Sequence, residues 1–285
     1  MFFKFTFYVI CIAKVLFKIN IMQTEKVADF IVNWLKEYAE NTNMNGFVIG
    51  ISGGIDSAVT STLCAKTGLP TLCVEMPIHQ AKNQVSRGKE HIKQLKKKFP
   101  NVSDTKFDLT TVFEDFKNQD TDPKDVNTLD VSLANTRARL RMTVLYYYAG
   151  LKKYLVAGTG NKVEDFGIGF YTKYGDGGVD LSPIADLMKS EVYALGLLLK
   201  VPKAIQSAAP TDGLFGDNRT DEDQIGASYD ELEWAMKMKE QGKTSDEFIN
   251  REQIVFDLFL RLNTNNKHKM ISIPVCKIPK YLTNI

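Results

Sequence analysis

The chain has 285 residues and a mass of 32.1 kDa, a length that suits one large α/β domain. Hydrophobic residues make up 44% of it and charged residues 25%, which excludes disordered, collagen-like and disulfide-scaffold proteins. The 36 basic and 34 acidic residues give a net charge of only +2, so the composition does not suggest a dedicated nucleic-acid binder.

The first 21 residues differ from the rest of the chain in charge. They contain three lysines and no acidic residue, which leaves 33 basic and 34 acidic residues in the remainder. The longest uncharged run, 5–13, is far shorter than the roughly 20 residues of a membrane-spanning helix. No cleavage site of small residues follows before Met22. We interpret residues 1–21 as a dispensable extension or an early start codon, and we expect no stable membrane association.

Predicted helices and strands alternate along the chain. An amphipathic helix is predicted over 24–41 with Thr24 as its N-cap, and a buried strand over 47–51. Further helices are predicted at 57–67, 81–99, 129–148, 190–199, 228–239 and 246–262, and further strands at 72–76, 107–109 and 154–157. This alternation predicts an α/β fold, an open and mainly parallel sheet with helices on both faces. No repeat or linker interrupts it, so we expect one domain over 22–285.

The cysteines and histidines predict neither disulfides nor a zinc site. The four cysteines form no CxxC pair and are expected to be buried thiols of a reducing compartment such as the cytoplasm; they are Cys11, Cys64, Cys73 and Cys276. The three histidines lack the HExxH spacing of a zinc site.

The strongest chemical signal is the segment 50–57, Gly-Ile-Ser-Gly-Gly-Ile-Asp-Ser, which we call the 50–57 loop. Glycines let backbone N–H groups approach an anion, and the N-terminus of the next predicted helix adds positive partial charge. Ser52 and Ser57 add hydroxyl donors, so the pattern predicts a phosphate pocket, although it is neither a Walker A loop nor a GxGxxG fingerprint. Asp56 would repel a phosphate unless a divalent cation lay between them, and Mg²⁺ is the expected ion. A helix N-cap after a tight turn would explain only one or two of these residues.

The Ser-Gly-Gly-Ile-Asp-Ser string resembles the PP-loop of the ATP pyrophosphatases, which cleave ATP to AMP and pyrophosphate. The string alone leaves tRNA thiolation, GMP synthesis and argininosuccinate synthesis open. Further segments are similar to NAD synthetase: 135–141 (Asn-Thr-Arg-Ala-Arg-Leu-Arg), 158–164 (Gly-Thr-Gly-Asn-Lys-Val-Glu), 170–180 (Phe-Tyr-Thr-Lys-Tyr-Gly-Asp-Gly-Gly-Val-Asp), 210–211, 220–222 and 226–229. The resemblance extends from about residue 22 to residue 269 and implies an adenine nucleotide alpha hydrolase-like fold.

The resemblance implies a ligase that forms a C–N bond in the last step of NAD biosynthesis. Deamido-NAD⁺, ATP and ammonia would give NAD⁺, AMP and pyrophosphate through an adenylate. A glutamine-hydrolysing relative would carry an additional amidase domain, for which the chain after Met22 leaves no room, so ammonia is the expected nitrogen source. The family also implies a homodimer, for which the helices predicted at 129–148 and 190–199 are candidate surfaces; their apolar residues would equally suit a core.

The resemblance further implies roles for individual residues. Asp56 and Glu164 would bind Mg²⁺, and Lys189 would act with them in catalysis. ATP would be bound by Gly50, Ile51, Ser52, Gly53, Gly54, Ile55, Asp56, Ser57, Thr159, Lys189 and Thr211. Deamido-NAD would be bound by Arg139, Lys173, Asp180, His268 and Lys269. Taken without the resemblance, Arg139 suits a surface cation, Asp180 a turn, and His268 a polar loop over 263–269.

Two departures from the family and two rival functions bear on this interpretation. The stretch 164–173 is one residue longer than in some relatives, and Thr211 is followed by Asp-Gly-Leu-Phe where relatives often have a small residue and Trp. A tRNA-modifying ATP pyrophosphatase would require catalytic cysteines or a basic RNA-binding face, which the near-neutral composition disfavours. A non-catalytic nucleotide sensor would have no use for a second metal ligand such as Glu164.

Overall fold

The structure is a computed structural model that describes residues 22–80, 82–119, 126–211 and 220–283. The extension 1–21, with Cys11, lies outside the described residues. The strands are β1 (Phe47–Gly50), β2 (Thr71–Glu75), β3 (Val102–Lys106) and β4 (Leu155–Val156). The helices are α1 (Thr24–Asn41), α2 (Ile55–Lys66), α3 (Lys82–Lys98), α4 (Thr110–Lys117), α5 (Val126–Lys152), α6 (Lys189–Leu198), α7 (Lys203–Gln206), α8 (Asp221–Ile225), α9 (Tyr229–Glu240) and α10 (Asn250–Met270). A π-helical turn spans Val163–Ile168, and 3₁₀ turns span Ser245–Glu247 and Lys280–Leu282.

The strands form one parallel sheet in the order β3-β2-β1-β4. Strand β1 pairs with β2 from Phe47↔Thr71 onward and with β4 from Phe47↔Leu155. The direction of strand addition therefore reverses between β1 and β4. Open α/β sheets bind ligands in the crevice beyond the carboxyl ends of their strands at such a reversal. The segments that follow β1 and β4 both lie at this crevice, and they contain the motifs 50–57 and 158–164.

Helices cover both faces of the sheet, which confirms the predicted fold class. Phe47 and Ile49 of β1 belong to a core cluster with side chains of α1, α2 and α6. Val48 between them belongs to a different cluster with Phe113 of α4 and Val144 of α5. Successive residues of a strand point to opposite faces, so the two clusters lie on opposite sides of the sheet.

A third core cluster joins the π-helical turn to the C-terminal helices. Val163 and Ile168 of the turn pack with Leu232 of α9 and with Phe256 and Phe259 of α10, all of them at most 1% exposed. Apolar packing of this size holds the start of α9 against the segment that follows β4. The structure thereby fixes the position of residues that are far apart in the sequence.

Three sequence expectations about the elements are wrong. The third strand is Val102–Lys106 and not 107–109, because β3 is an edge strand whose residues after Val102 are largely exposed and polar, so no apolar run marks it. Thr24 is the first residue of α1 and not its N-cap, which is Gln23. The predicted loop at 263–269 is helical, since α10 continues to Met270 and contains His268.

The cysteines only partly match the expectation of buried thiols. Cys64 and Cys73 are free and fully buried, and burial raises the pKa of the Cys73 thiol to about 12. Cys276 is exposed instead, in the extended segment that follows α10. Across the described part of the chain, no helix combines the length and the apolar character needed to cross a bilayer.

Candidate functional site

The 50–57 loop makes a tight turn between β1 and α2. Gly53 has a φ of +82°, and an added Cβ there would lie 2.5 Å from the backbone oxygen of Gln84. Glycine is required on both counts, because the helix α3 backbone lies directly against the loop. Ser52 Oγ accepts a hydrogen bond from Gly54 N over 3.2 Å and lies 3.1 Å from Ser57 Oγ. Since Gly54 is the N-cap of α2, the N-terminus of this helix opens onto the loop.

Asp56 lies in the first turn of α2 and is held by two donors. Lys189 Nζ donates to its Oδ2 over 2.7 Å, and Asn161 Nδ2 donates to its Oδ1 over 3.1 Å. Asn161 is fully buried, and its own Oδ1 accepts from Glu164 N over 3.1 Å. One amide side chain thus connects the end of β1 to the segment after β4.

Lys189, the first residue of α6, bridges two carboxylates. Its Nζ lies 2.7 Å from Asp56 Oδ2 and 2.9 Å from Glu164 Oε1, and the residue is only 2% exposed. Burial alone would lower the pKa of Lys189, but the two carboxylates outweigh it and raise the pKa, so the side chain is an ammonium ion. We call Asp56, Glu164 and Lys189 the carboxylate–lysine cluster.

The two carboxylates of the cluster differ in their electrostatic surroundings. Burial raises the pKa of Asp56 in spite of Lys189. Burial acts on Glu164 in the same direction, but Lys189 and the hydroxyl of Tyr229 outweigh it and lower the pKa of Glu164. One buried ammonium thus serves two partly buried acids, and the cluster has a deficit of positive charge.

This cluster fits a divalent cation that is shared with a phosphate ligand. Carboxylate oxygens are the hard ligands that Mg²⁺ prefers, and protein Mg²⁺ sites typically use one or two carboxylates plus phosphates and water. The described ranges hold no group of three or more His, Cys, Asp or Glu residues able to hold a metal ion. Asp56 and Glu164 could therefore hold Mg²⁺ only with further ligands from a bound nucleotide and water.

Nearly all the residues predicted to bind ATP line one cleft of about 280 Å³. The structure brings ten of them together from separate elements: Gly50, Ile51, Ser52, Gly54, Ile55, Asp56, Ser57, Thr159, Lys189 and Thr211. Glu164, predicted as a metal ligand, lines the same cleft. Gly53 is absent from the lining because it lies under the backbone of α3. Apolar side chains, among them Met76 and Leu145, line the same cleft and would suit a purine ring.

Four of the five residues predicted to bind deamido-NAD form a chain of contacts. Arg139 Nε and Nη2 each donate to the backbone oxygen of Lys173 over 3.4 Å. Lys173 Nζ donates to the backbone oxygen of His268 over 2.9 Å. The next residue, Lys269, donates to the backbone oxygen of Gly169 over 2.8 Å. These contacts join α5, the glycine-rich segment 158–178 and the end of α10.

Asp180 lies apart from these four residues. Its carboxylate accepts from Val156 N over 2.8 Å and from the Tyr146 hydroxyl over 3.0 Å. It lines a second, shallow hollow together with Trp34 and Tyr38 of α1. Within one chain, the structure does not bring Asp180 to the other predicted dinucleotide residues.

Three residues at the cleft were not singled out by sequence reasoning. Asn161 and Tyr229 lie within the motifs quoted above, but nothing in those motifs marks them as partners of Asp56 and Glu164. Arg87 Nε donates to the backbone oxygen of Gly53 over 3.2 Å, and Arg87 lines the cleft. Its helix α3 is rich in lysine, and no local pattern separates this arginine from a solvated face.

The extra residue expected between 164 and 173 coincides with an unusual helical turn. Val163–Ile168 is π-helical, and the Gly169 N–H closes the turn on the backbone oxygen of Glu164. A π-helical turn holds one residue more than an α-helical turn, so it can absorb an insertion, and such turns recur at functional sites. Glu164 is the second residue of this turn and lines the cleft.

Comparisons with known proteins give matches that extend over most of the chain. A family model described as NAD synthase matches residues 27–272. A relative from Mesoplasma florum, named NH(3)-dependent NAD(+) synthetase, is 40% identical over 216 residues, which cover 74% of this chain and 84% of the relative. An NMN synthetase structure from Francisella tularensis is 32% identical with a TM-score of 0.77, covering 90% of this chain and 100% of that one. An NH3-dependent NAD synthetase from Campylobacter jejuni is 26% identical with a TM-score of 0.71 and the same coverage.

Proposed function

Since this chain belongs to the NAD synthase family, we propose that it is an ammonia-dependent NAD⁺ synthase, a ligase that amidates deamido-NAD⁺ at the cost of ATP. The observation that carries the proposal is the carboxylate–lysine cluster beside the 50–57 loop. It combines a phosphate-binding backbone, two acids suited to a divalent cation and a buried ammonium in one cleft.

The proposed reaction has two steps. A carboxylate oxygen of the nicotinate group attacks the α-phosphorus of ATP, the bond to the bridging oxygen of the β-phosphate breaks, and an adenylate and pyrophosphate form. Ammonia then attacks the carbonyl carbon and loses a proton, and AMP leaves. Both steps depend on positioning and on neutralising charge rather than on a protein nucleophile.

The residues of the cleft suit these demands. The backbone N–H groups of the 50–57 loop and the N-terminus of α2 bind the phosphates, and Lys189 offsets charge that develops on departing pyrophosphate. Asp56 and Glu164 would hold Mg²⁺, which would supply neutralisation of phosphate charge and polarisation of the α-phosphate. Asn161 keeps both acids in place through its amide.

The dinucleotide is assigned to the chain of contacts that joins α5, the glycine-rich segment and the end of α10. Arg139, Lys173, His268 and Lys269 present cationic or polar groups there, which suit phosphates and a carboxylate. Asp180 can contribute to the dinucleotide site only if a second subunit completes that site. We propose a homodimer on this ground.

Exposed apolar side chains support the homodimer. Val131, Tyr147 and Leu151 of α5 and Leu197 of α6 are each more than half exposed. These helices are the two that the sequence indicated as candidate surfaces. Light scattering that gives the mass of a single chain at assay concentration would contradict the dimer.

A second candidate function is amidation of the mononucleotide. The Francisella tularensis NMN synthetase is more similar to this chain in both identity and TM-score than the Campylobacter jejuni NAD synthetase. The deamidated mononucleotide carries the same reacting carboxylate, so the cleft chemistry would be unchanged.

The test is an assay of purified protein with ATP, Mg²⁺ and ammonium chloride. We expect AMP and pyrophosphate to form only when deamido-NAD⁺ is present, with NAD⁺ as product, and glutamine not to replace ammonium. Higher kcat/KM with nicotinate mononucleotide would establish the second candidate instead. Absence of AMP formation with either acceptor would contradict both, and the Asp56→Ala variant supplies the inactive control.

The proposal also takes residues 22–285 as one domain of a cytoplasmic enzyme. A single family model spans 27–272, and the free thiols Cys64 and Cys73 are compatible with a reducing compartment. Mass spectrometry of the native N-terminus and cell fractionation test these two points.

A further inference from the structure

Tyr229 touches the carboxylate–lysine cluster from the side of the C-terminal helices. It is the first residue of α9 and is 6% exposed. Its hydroxyl lies 2.5 Å from Glu164 Oε1 and donates a hydrogen bond to it.

The same side chain also contacts the lysine of the cluster. The ring of Tyr229 lies 4.7 Å from Lys189 Nζ, a cation–π arrangement. Lys189 and Tyr229 both donate to Oε1 of Glu164. Two donors on one oxygen fix the rotation of the carboxylate about its last side-chain bond.

The position of Tyr229 is set by the start of α9. Ser228 caps this helix: its N–H donates to Glu231 Oε2 over 2.8 Å, and its Oγ accepts from the N–H of Glu231. Tyr229 N donates to Glu222 Oε1 of α8 over 2.9 Å. The ring belongs to the third core cluster with Leu232. Because the Tyr229 backbone is hydrogen-bonded and its ring is packed in the core, the hydroxyl has a fixed position. It therefore determines where the Glu164 carboxylate lies.

We propose that Tyr229 is a positioning residue that holds Glu164 in the orientation in which this acid binds a divalent cation beside the nucleotide. The inference rests on the proposed function, because it takes Glu164 as a ligand of that cation. Hydrogen bonds to a metal-binding group from residues outside the ligand set commonly change metal affinity 10–100-fold when removed. The phenol of Tyr229 acts through Glu164 and does not itself touch the substrates.

The decisive variant is Tyr229→Phe, which removes the donor and keeps the ring over Lys189. The probe is Mn²⁺, whose binding is followed by electron paramagnetic resonance in the presence of α,β-methylene-ATP. We expect about tenfold weaker Mn²⁺ binding than in the wild type. In steady-state assays the Mg²⁺ concentration for half-maximal rate should rise by a similar factor, with the KM for ammonia unchanged. Mn²⁺ affinity within twofold of wild type would overturn the proposal.

Two controls separate positioning from a general loss of structure. Tyr38→Phe removes a hydroxyl from α1, away from the cleft, and should leave Mn²⁺ binding unchanged. In a Glu164→Gln background, Tyr229→Phe should have no further effect on Mn²⁺ binding, because the carboxylate that the phenol is proposed to position is then absent. Equal tenfold losses in both backgrounds would show that Tyr229 acts otherwise and would overturn the proposal.

The same experiments distinguish a failure of the proposed function from a failure of the role proposed for Tyr229. Binding of Mn²⁺ with the ATP analogue requires neither deamido-NAD⁺ nor ammonia. A wild-type protein that binds Mn²⁺ tightly but forms no amide would contradict the proposed reaction and leave the role of Tyr229 standing.

Discussion

The ammonium nitrogen of Lys189 lies 2.7 Å from Asp56 Oδ2, although 133 residues separate the two in the chain. The same nitrogen lies 2.9 Å from Glu164 Oε1. Since one buried cation serves two partly buried acids, removal of its charge should lower both stability and catalytic activity.

The Lys189→Met variant is expected to lose both stability and catalytic activity. Two partly buried carboxylates left without a cation should lower the unfolding free energy by about 3 kcal/mol at pH 7.5. The loss should be smaller at pH 5, because protonation of Asp56, whose pKa burial already raises, relieves the repulsion. NAD⁺ formation should fall at least about 100-fold. Urea unfolding at the two pH values, with rate assays, measures these effects.

The exposed Lys36 offers a control for this variant. Its ion pair with Glu40 spans 4.0 Å at the surface of α1, so Lys36→Met should change the unfolding free energy by less than about 0.5 kcal/mol. If Lys189→Met were destabilised equally at pH 5 and pH 7.5, charge repulsion would not be the cause.

Asn161→Ala is expected to raise the Mg²⁺ requirement. The amide holds Asp56 Oδ1 and the backbone of Glu164 at once, so its loss frees both proposed ligands. We expect the Mg²⁺ concentration for half-maximal rate to rise about tenfold or more. Titration of Mg²⁺ at fixed ATP measures the shift.

Asn101→Ala is the matched control for the asparagine. Its amide also makes two hydrogen bonds, to the backbone oxygens of Ala65 and Leu69, but outside the cleft. It should lower stability and leave the Mg²⁺ requirement unchanged. A shifted Mg²⁺ requirement in Asn101→Ala would show that loss of stability alone produces the effect.

The sequence predicted the parts of the cleft that lie within one motif. The glycines, serines and Asp56 of the 50–57 loop are adjacent in the chain, and their residue types reflect backbone geometry and charge. Tyr229 and Arg87 were not predicted, because their roles arise where separate helices begin or pass over the loop. Strand β3 was misplaced because an edge strand needs no apolar run. Asp180 is the last residue of the motif 170–180, yet its carboxylate accepts from Val156 N of β4 and lines a separate hollow.

Gly53→Ala should be far more harmful than Gly68→Ala. Both glycines have positive φ, +82° and +80°, so each substitution carries the backbone strain of about 1 kcal/mol. A Cβ at Gly68 meets nothing within 4 Å, whereas one at Gly53 would lie 2.5 Å from Gln84 O. We expect Gly53→Ala to cost at least about 2 kcal/mol more and to weaken ATP binding. Thermal unfolding and ATP titration compare the two variants. Equal losses of stability would show that α3 does not constrain the 50–57 loop.

Stability should fall between pH 6.5 and pH 4 because of His91. This side chain is 2% exposed, lies 2.9 Å from Ser61 Oγ through Nε2, and burial lowers its pKa from 6.5 to about 4. In this window the unfolded chain binds a proton that the folded chain does not. The contribution present above pH 6.5 is therefore lost as the pH falls, by up to about 3 kcal/mol, and levels off below pH 4.

His91→Gln removes the titrating group and should flatten that part of the pH profile. His79, which is exposed and pairs with Glu114, provides the control, and His79→Gln should retain the fall. Urea unfolding across the window is the measurement. A profile of His91→Gln parallel to the wild type would assign the pH dependence to other groups.

Lys173→Met should weaken binding of deamido-NAD⁺ without affecting ATP. The Lys173 ammonium lies at the contact chain that joins the glycine-rich segment to α10, through its 2.9 Å bond to His268 O. Loss of a cation that pairs with substrate phosphate or carboxylate typically costs about 1.5–3 kcal/mol, so the KM for deamido-NAD⁺ should rise at least about tenfold. The KM for ATP should stay constant, because Lys173 does not line the ATP cleft. Lys267→Met, an exposed lysine on the same turn of α10 as His268, is the control and should leave both constants unchanged. A parallel rise in both KM values would indicate that Lys173 supports the fold of the glycine-rich segment rather than the dinucleotide.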